Sequence, residues 1–153
     1  MTNENIFEIE RTVRELFKRM TFEIKDLKVI NKEDLYLVET DIDNPKTLIG
    51  ERGQVLSDLQ YIIRLVIRKK IGPDIFVELD INDYKKKKKE VLCEIAQDIC
   101  NEVIFTKKEK TLPPMSPYER RIIHLALKDK EGIKTESVGE GSERQVVIKP
   151  AWL

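Results

Sequence analysis

The chain has 153 residues, 41% of them hydrophobic and 37% charged, with 28 Lys and Arg matched by 28 Asp and Glu. That length suits one domain or two small ones, and a net charge of zero excludes attraction to polyanions through total charge alone. No apolar run approaches the ~18 residues of a membrane span, and the start, Met-Thr-Asn-Glu-Asn, lacks the basic and apolar regions of an export signal, so a soluble cytoplasmic protein is expected. The charge is nonetheless uneven. Residues 1–45 hold 7 basic against 11 acidic groups, residues 46–90 hold 11 against 7, and residues 91–153 hold 10 against 10.

In chain order, Ile6, Ile9, Val13, Phe17 and Met20 recur at helical spacing and predict a helix over 4–20. Two strand-like runs, 22–29 and 35–40, flank a polar turn at Asn31–Asp34. Asp43-Asn-Pro45 breaks the second strand, and a short helical turn over 46–49 leads to Gly50-Glu-Arg-Gly53. From Gln54 a long helix follows, with a wide apolar stripe of Val55, Leu56, Leu59, Ile62, Ile63, Val66 and Ile67. It ends in Arg68-Lys69-Lys70, where the helix dipole favours cations, and Gly72-Pro73 stops it. A third strand is predicted over 75–81.

Asn82-Asp83 can cap a helix over 84–106, with Val91, Leu92, Ile95, Ala96, Ile99 and Val103 facing inward. Cys93 and Cys100 lie seven apart on it, about 10 Å at 1.5 Å per residue, too far for a disulfide. They read as small core residues in a reducing compartment. Ser116 caps the next helix, with Pro117 at its first position. A hairpin of 133–138 and 144–148 closes the chain. The predicted fold class is α+β in two domains, 1–81 and 82–153.

Chemistry concentrates in three places. Gly50 and Gly53 sit at the mouth of a helix, where loop and first-turn N–H groups lack internal partners and an anionic oxygen can approach bare backbone. Glu51 opposes that charge, Arg52 offsets it, and Gln54 opens the helix. Arg120 and His124, four apart, share a helix face; taken alone they read as a surface arginine and a packed histidine. Lys85 to Lys89 read either as a solvated face or as a phosphate-tracking patch, since five helical residues circle the axis and cations at a helix start are disfavoured. Among aromatic residues, Tyr118 beside Arg121 is the better stacking candidate; Tyr61 reads as helix packing, and Trp152 as cover for an apolar edge.

Preceded by Leu48-Ile49 and set in this element order, Gly50-Glu-Arg-Gly53 resembles the loop of a prokaryotic-type (type II) KH domain, which clamps the backbone of about four nucleotides. The resemblance implies a bound strand in the groove between helix 54–70 and a three-stranded sheet. Pro117-Tyr-Glu-Arg-Arg, Thr135-Glu-Ser137 and Gly139-Glu-Gly-Ser-Glu-Arg144 resemble a small α/β R-three-H domain, a single-stranded nucleic-acid binder named for an Arg-x-x-x-His motif. That likeness gives Arg120 and His124 a binding role, with Arg121 and Arg144 as phosphate partners.

Both domains in this order, with Leu56-Ser-Asp-Leu-Gln-Tyr61 and Met115-Ser-Pro-Tyr-Glu-Arg-Arg121, resemble the Jag (SpoIIIJ-associated, KhpB-like) family of bacterial RNA-binding proteins. The resemblance implies single-stranded RNA, or single-stranded DNA, as ligand through Gly50, Glu51, Arg52, Gly53, Gln54, Tyr118, Arg120, Arg121, His124 and Arg144, with Lys85 and Lys86 added by the lysine patch. It also implies a role as RNA chaperone or post-transcriptional regulator linked to envelope growth. As partners it suggests a second KH protein or another copy of the chain, and peripheral contact with a YidC-type membrane insertase. With one histidine, no paired Cys/His cluster and no Gly-x-x-x-x-Gly-Lys phosphate loop, neither enzyme activity, metal nor cofactor is expected. A base at His124 would need an orienting partner, with Glu119 and Glu136 the candidates.

Overall fold

The computed structural model describes residues 2–152. The chain divides into two compact units, residues 1–85 and 86–153, each with its own apolar core. The α+β class is as expected.

The first unit runs α1 (Thr2–Arg19), β1 (Ile24–Lys32), β2 (Leu35–Ile42), α2 (Lys46–Ile49), α3 (Gln54–Lys70) and β3 (Phe76–Ile81). Its sheet has the order β1-β2-β3, and this element order with three strands is that expected of a type II KH domain. Ile9, Val13 and Phe17, one turn apart on α1, are fully buried, as their spacing dictates. Strand β2 alternates, burying Tyr36, Val38, Thr40 and Ile42. β1 starts and ends later than predicted. It pairs as far as Lys32 with Leu35, so only Glu33 and Asp34 form the turn, with Glu33 at φ 57°. Such a two-residue hairpin needs positive φ, a demand that Asn31 would meet better on propensity and the strand register overrules.

β2 and β3 are parallel, so the chain must cross over between them, and α2 and α3 make that crossover. Of the predicted α3 stripe, Leu56, Leu59, Ile63 and Ile67 are buried. Val55 and Ile62 remain exposed, and Tyr61, expected to pack, is 62% exposed. The sheet covers one side of the helix; the stripe was wider than that side.

The second unit comprises α4 (Tyr84–Thr106, which begins two residues before the division), β4 (Lys110–Thr111), α5 (Pro117–Leu127), β5 (Ile133–Val138) and β6 (Gln145–Pro150), with sheet order β4-β6-β5. β6 begins one residue later than predicted and runs two residues further. β4, too short for a periodic signal, pairs Lys110 with Ile148 and Thr111 with Val147. Central β6 is accordingly a run of buried Val146, Val147 and Ile148. On α4, Ala96, Cys100 and Val103 are buried, with Leu92 and Ile99 packed beside them. Val91 and Ile95, predicted inward, are exposed. Both cysteines are free thiols, Cys100 buried and Cys93 half-buried.

Candidate nucleic-acid interface

α2 ends at Gly50, which adopts φ 72°, ψ −176°, a region open essentially to glycine. Arg52 follows at φ 52° and Gly53 at φ 82°. The reason for the two glycines differs from the one predicted. A Cβ on Gly50 would collide with the Val55 side chain, and one on Gly53 would lie 2.8 Å from Cε1 of Tyr84. The absent side chains therefore make room for protein. Several loop amides are also occupied: Gly50 N–H donates to Lys46 O (2.9 Å), Gly53 N–H to Gly50 O (3.4 Å) and Gln54 N–H to Glu51 O.

What the loop leaves outward is narrower than bare backbone. Arg52, in left-handed conformation between the glycines, is exposed beside exposed Glu51. Gly53 is the N-cap of α3 and supplies no side-chain cap, so the positive end of the α3 dipole opens beside Arg52. Gln54, exposed as well, donates from Nε2 to Asp58 Oδ1 (3.0 Å).

The lysine run splits by direction. Lys85 turns inward: its Nζ donates to Gln60 Oε1 and, at 3.4 Å, to Glu78 Oε1, while its N–H donates to Asp80 Oδ1 (2.9 Å). Burial lowers its pKa, against the opposing pull of Glu78. Asp80 thus caps α4. Asn82, expected with Asp83 to cap this helix, donates to Ile42 O and accepts from Ile42 N–H (both 3.1 Å). Lys88 pairs with the buried Glu119 (2.8 Å), whereas Lys86, Lys87 and Lys89 are exposed.

α5 opens as predicted, with Ser116 as N-cap and Pro117 at the first position, and Glu119 completes a capping box. Burial pushes the Glu119 carboxyl up, but its bonds to Lys88 and Ser116 outweigh burial, and its pKa is lowered. Arg120 donates from Nη1 to Met115 O (2.8 Å), and Met115 N–H donates to Arg144 O (3.1 Å). The Met115 backbone thereby joins Arg120 to the Arg144 segment.

His124 is held at both ring nitrogens, Nδ1 to Thr135 Oγ1 (2.7 Å) and Nε2 to Ser137 Oγ (2.8 Å), both hydroxyls lying on β5. Its partners are therefore not Glu119 or Glu136; the latter pairs with Lys149 (2.8 Å). Burial, aided by the Arg120 charge, lowers the His124 pKa. A neutral ring, one nitrogen donating and one accepting, suits two hydroxyls in either tautomer. Tyr118, Arg121 and Arg144 are exposed. Trp152 lies under Lys107, 5.2 Å from ring centroid to Nζ, and is 64% exposed.

Two arginines have contacts that the sequence does not show, although it marks Arg68 as a helix-end cation. Arg64 and Arg68 reach from α3 to β3 and its approach, where Arg64 Nε donates to Val77 O (2.5 Å) and Arg68 Nε to Ile75 O (3.4 Å). Their spacing of four was visible, but not that this helix side meets a strand edge. Among the described residues no helix is long and apolar enough to cross a membrane, and no group of three or more His, Cys, Asp or Glu could hold a metal ion.

Known proteins place this geometry. The R-three-H domain model matches residues 90–150, which include the whole of α5 and β5. RNA-binding protein KhpB of Clostridium symbiosum is 44% identical over 106 residues, covering 69% of this chain and 48% of that one. KhpB of Bacillus subtilis is 40% identical over 103 residues, covering 66% and 50%, and KhpB of Streptococcus pneumoniae serotype 2 is 28% identical over 152 residues, covering 95% and 46%. The chain thus spans about half the length of the curated relatives it matches. The pneumococcal likeness runs through the glycine loop as well as α5, and the domain model takes in the helix that carries Arg120 and His124, so the chain is similar to the KhpB proteins of the Jag family along most of its length.

Proposed function

We propose that this chain binds single-stranded RNA, or single-stranded DNA, through the Gly50–Gly53 loop and through the exposed side of α5. The observation that carries the reading is Arg52, exposed in left-handed conformation at the uncapped start of α3. There a phosphate meets a guanidinium and a helix dipole together. In the second unit Tyr118, Arg121 and Arg144 offer a stacking face and two charges. His124 fits a supporting role better than direct contact, since both nitrogens are engaged. The names of the KhpB relatives agree with the ligand. Binding without turnover suits an RNA chaperone or post-transcriptional regulator acting in envelope growth, in the cytoplasm.

The test is fluorescence anisotropy of a labelled oligouridylate 12-mer. An R52D/R120A/R121A variant should bind at least tenfold more weakly, and a 12-bp RNA duplex should compete poorly. Aspartate tolerates the left-handed region, so the loop should keep its shape. Affinity equal to the parent's in the folded variant would overturn the reading.

A second reading has its own observation. Tyr61, Ile62 and Leu65 on α3 are exposed at 62%, 48% and 50%, with Val55 nearby, an apolar face suited to a protein partner. A second KH protein, another copy of the chain or a YidC-type insertase would be that partner. Sizing by light scattering with and without a Leu65→Glu change tests for self-association, and an unchanged monomer mass in both removes the homodimer.

A further inference from the structure

The outer edge of β3 is covered by three α3 side chains spaced four apart. Gln60 Oε1 accepts from Leu79 N–H (3.0 Å), Arg64 Nε donates to Val77 O, and Arg68 Nε donates to Ile75 O. The match is geometric. Four helical residues rise about 6 Å and two strand residues about 6.6 Å, so an antiparallel helix can serve alternate backbone groups in step. The cover closes the edge to an added β-strand, which removes strand pairing as a use for this surface.

Each arginine is anchored through Nε, the innermost nitrogen of its fork. A guanidinium has five N–H donors, so four remain on the Nη atoms of each. Neither arginine has another hydrogen bond or ion pair among the described residues. The Arg68 guanidinium also lies over the Phe76 ring, 5.3 Å from its centroid, and that ring is half-exposed. Glu78, on the same strand, is paired with Lys85. Arg68 is exposed and Arg64 half-buried, and the two anchored forks, one helical turn apart, keep their paired Nη donors unused among the described residues. An anchored fork loses less rotamer freedom when it binds than a free one does.

We propose that Arg64 and Arg68 form a second phosphate-contact pair, taking successive phosphates of the polynucleotide whose backbone reaches the start of α3. The proposal rests on the RNA-binding reading and extends it along the helix. From Gly53 the rise is about 16 Å to Arg64 and about 22 Å to Arg68, so a strand centred on the roughly four-nucleotide loop site would not reach the pair, whereas a 12-mer would.

The experiment uses the full chain with oligouridylates of 4 and 12 nucleotides, titrated over salt. In an R64Q/R68Q variant the 12-mer should bind about tenfold more weakly. Its log–log salt slope should fall by about 1.4, at roughly 0.7 per phosphate on single strands, while 4-mer affinity stays within twofold of the parent's. R68Q alone, which touches only the longer bond, should lower the slope by about 0.7 and keeps the test open should the double variant unfold. Unchanged 12-mer affinity and slope in a folded variant would overturn the proposal, as would loss of an acidic protein partner with 12-mer binding intact. If R52D/R120A/R121A loses the 12-mer while R64Q/R68Q keeps it, this pair is wrong and the RNA reading stands. If both variants keep it, both ideas fall.

Discussion

Two glycines three residues apart look equivalent in a sequence, and the backbone makes them unequal. Gly50 sits at φ 72°, ψ −176° with Val55 against it, whereas Gly53 is left-handed with the movable Tyr84 ring against it. Gly50→Ala should therefore cost about 2 kcal/mol, and Gly53→Ala about 1 kcal/mol, in urea unfolding. Equal costs would contradict this geometry. The motif was legible because glycine pairs before a helix are rare in so glycine-poor a chain. The packing against Val55 and Tyr84 was not, because Tyr84 is distant in sequence. His124 shows the same division. Its one-face pairing with Arg120 followed from spacing, but burial, aided by the Arg120 charge, favours its neutral form, and hydroxyls on another element hold the ring. Its pKa is lowered in the folded chain, so folding favours the neutral form. Stability is full above the unfolded value near 6.5 and declines as pH falls below it. Chemical melts at pH 7.5 and 5.0 should show the parent losing stability and His124→Gln losing less. Glu119, with its pKa lowered from 4.5, contributes its change only below that window. A pH-independent parent would refute the assignment.

At the scale of elements, helices were read well and strands less so. A helix of 17 residues such as α3 repeats its apolar period several times, whereas two-residue β4 repeats nothing. The lysine run was ambiguous for a physical reason: five consecutive helical residues point all round the axis, and only the packing chooses among them. Here Lys85 and Lys88 turn in to acidic or amide partners, and Lys86, Lys87 and Lys89 turn out. Lys85→Gln should accordingly lower the urea midpoint and leave the salt slope of RNA binding unchanged. A K86Q/K87Q/K89Q variant should instead reduce the slope, by up to about 2. A slope unmoved by the triple change would remove the lysines from the interface.

Over the whole molecule, zero net charge and local basic excess pull in opposite directions. Residues 46–90 carry four more basic than acidic groups, and they contain Arg52, Arg64 and Arg68. Short-range contacts rather than a global field should then dominate, with at least about four phosphates engaged. Raising salt from 0.05 to 0.2 M should weaken 12-mer binding by at least about 50-fold at that count. A loss below fivefold would mean that base stacking, not phosphate, carries the affinity.

By itself the sequence determined the α+β class, the helix limits to within two residues, the Ser116 cap and the glycine motif, because each depends on residues within a turn or two of one another. Which side of α3 meets β3, which lysines turn inward, and which hydroxyls hold His124 were decided only in the tertiary structure. Those choices join residues far apart in the chain, and a periodic pattern shows that a face is apolar without showing what covers it.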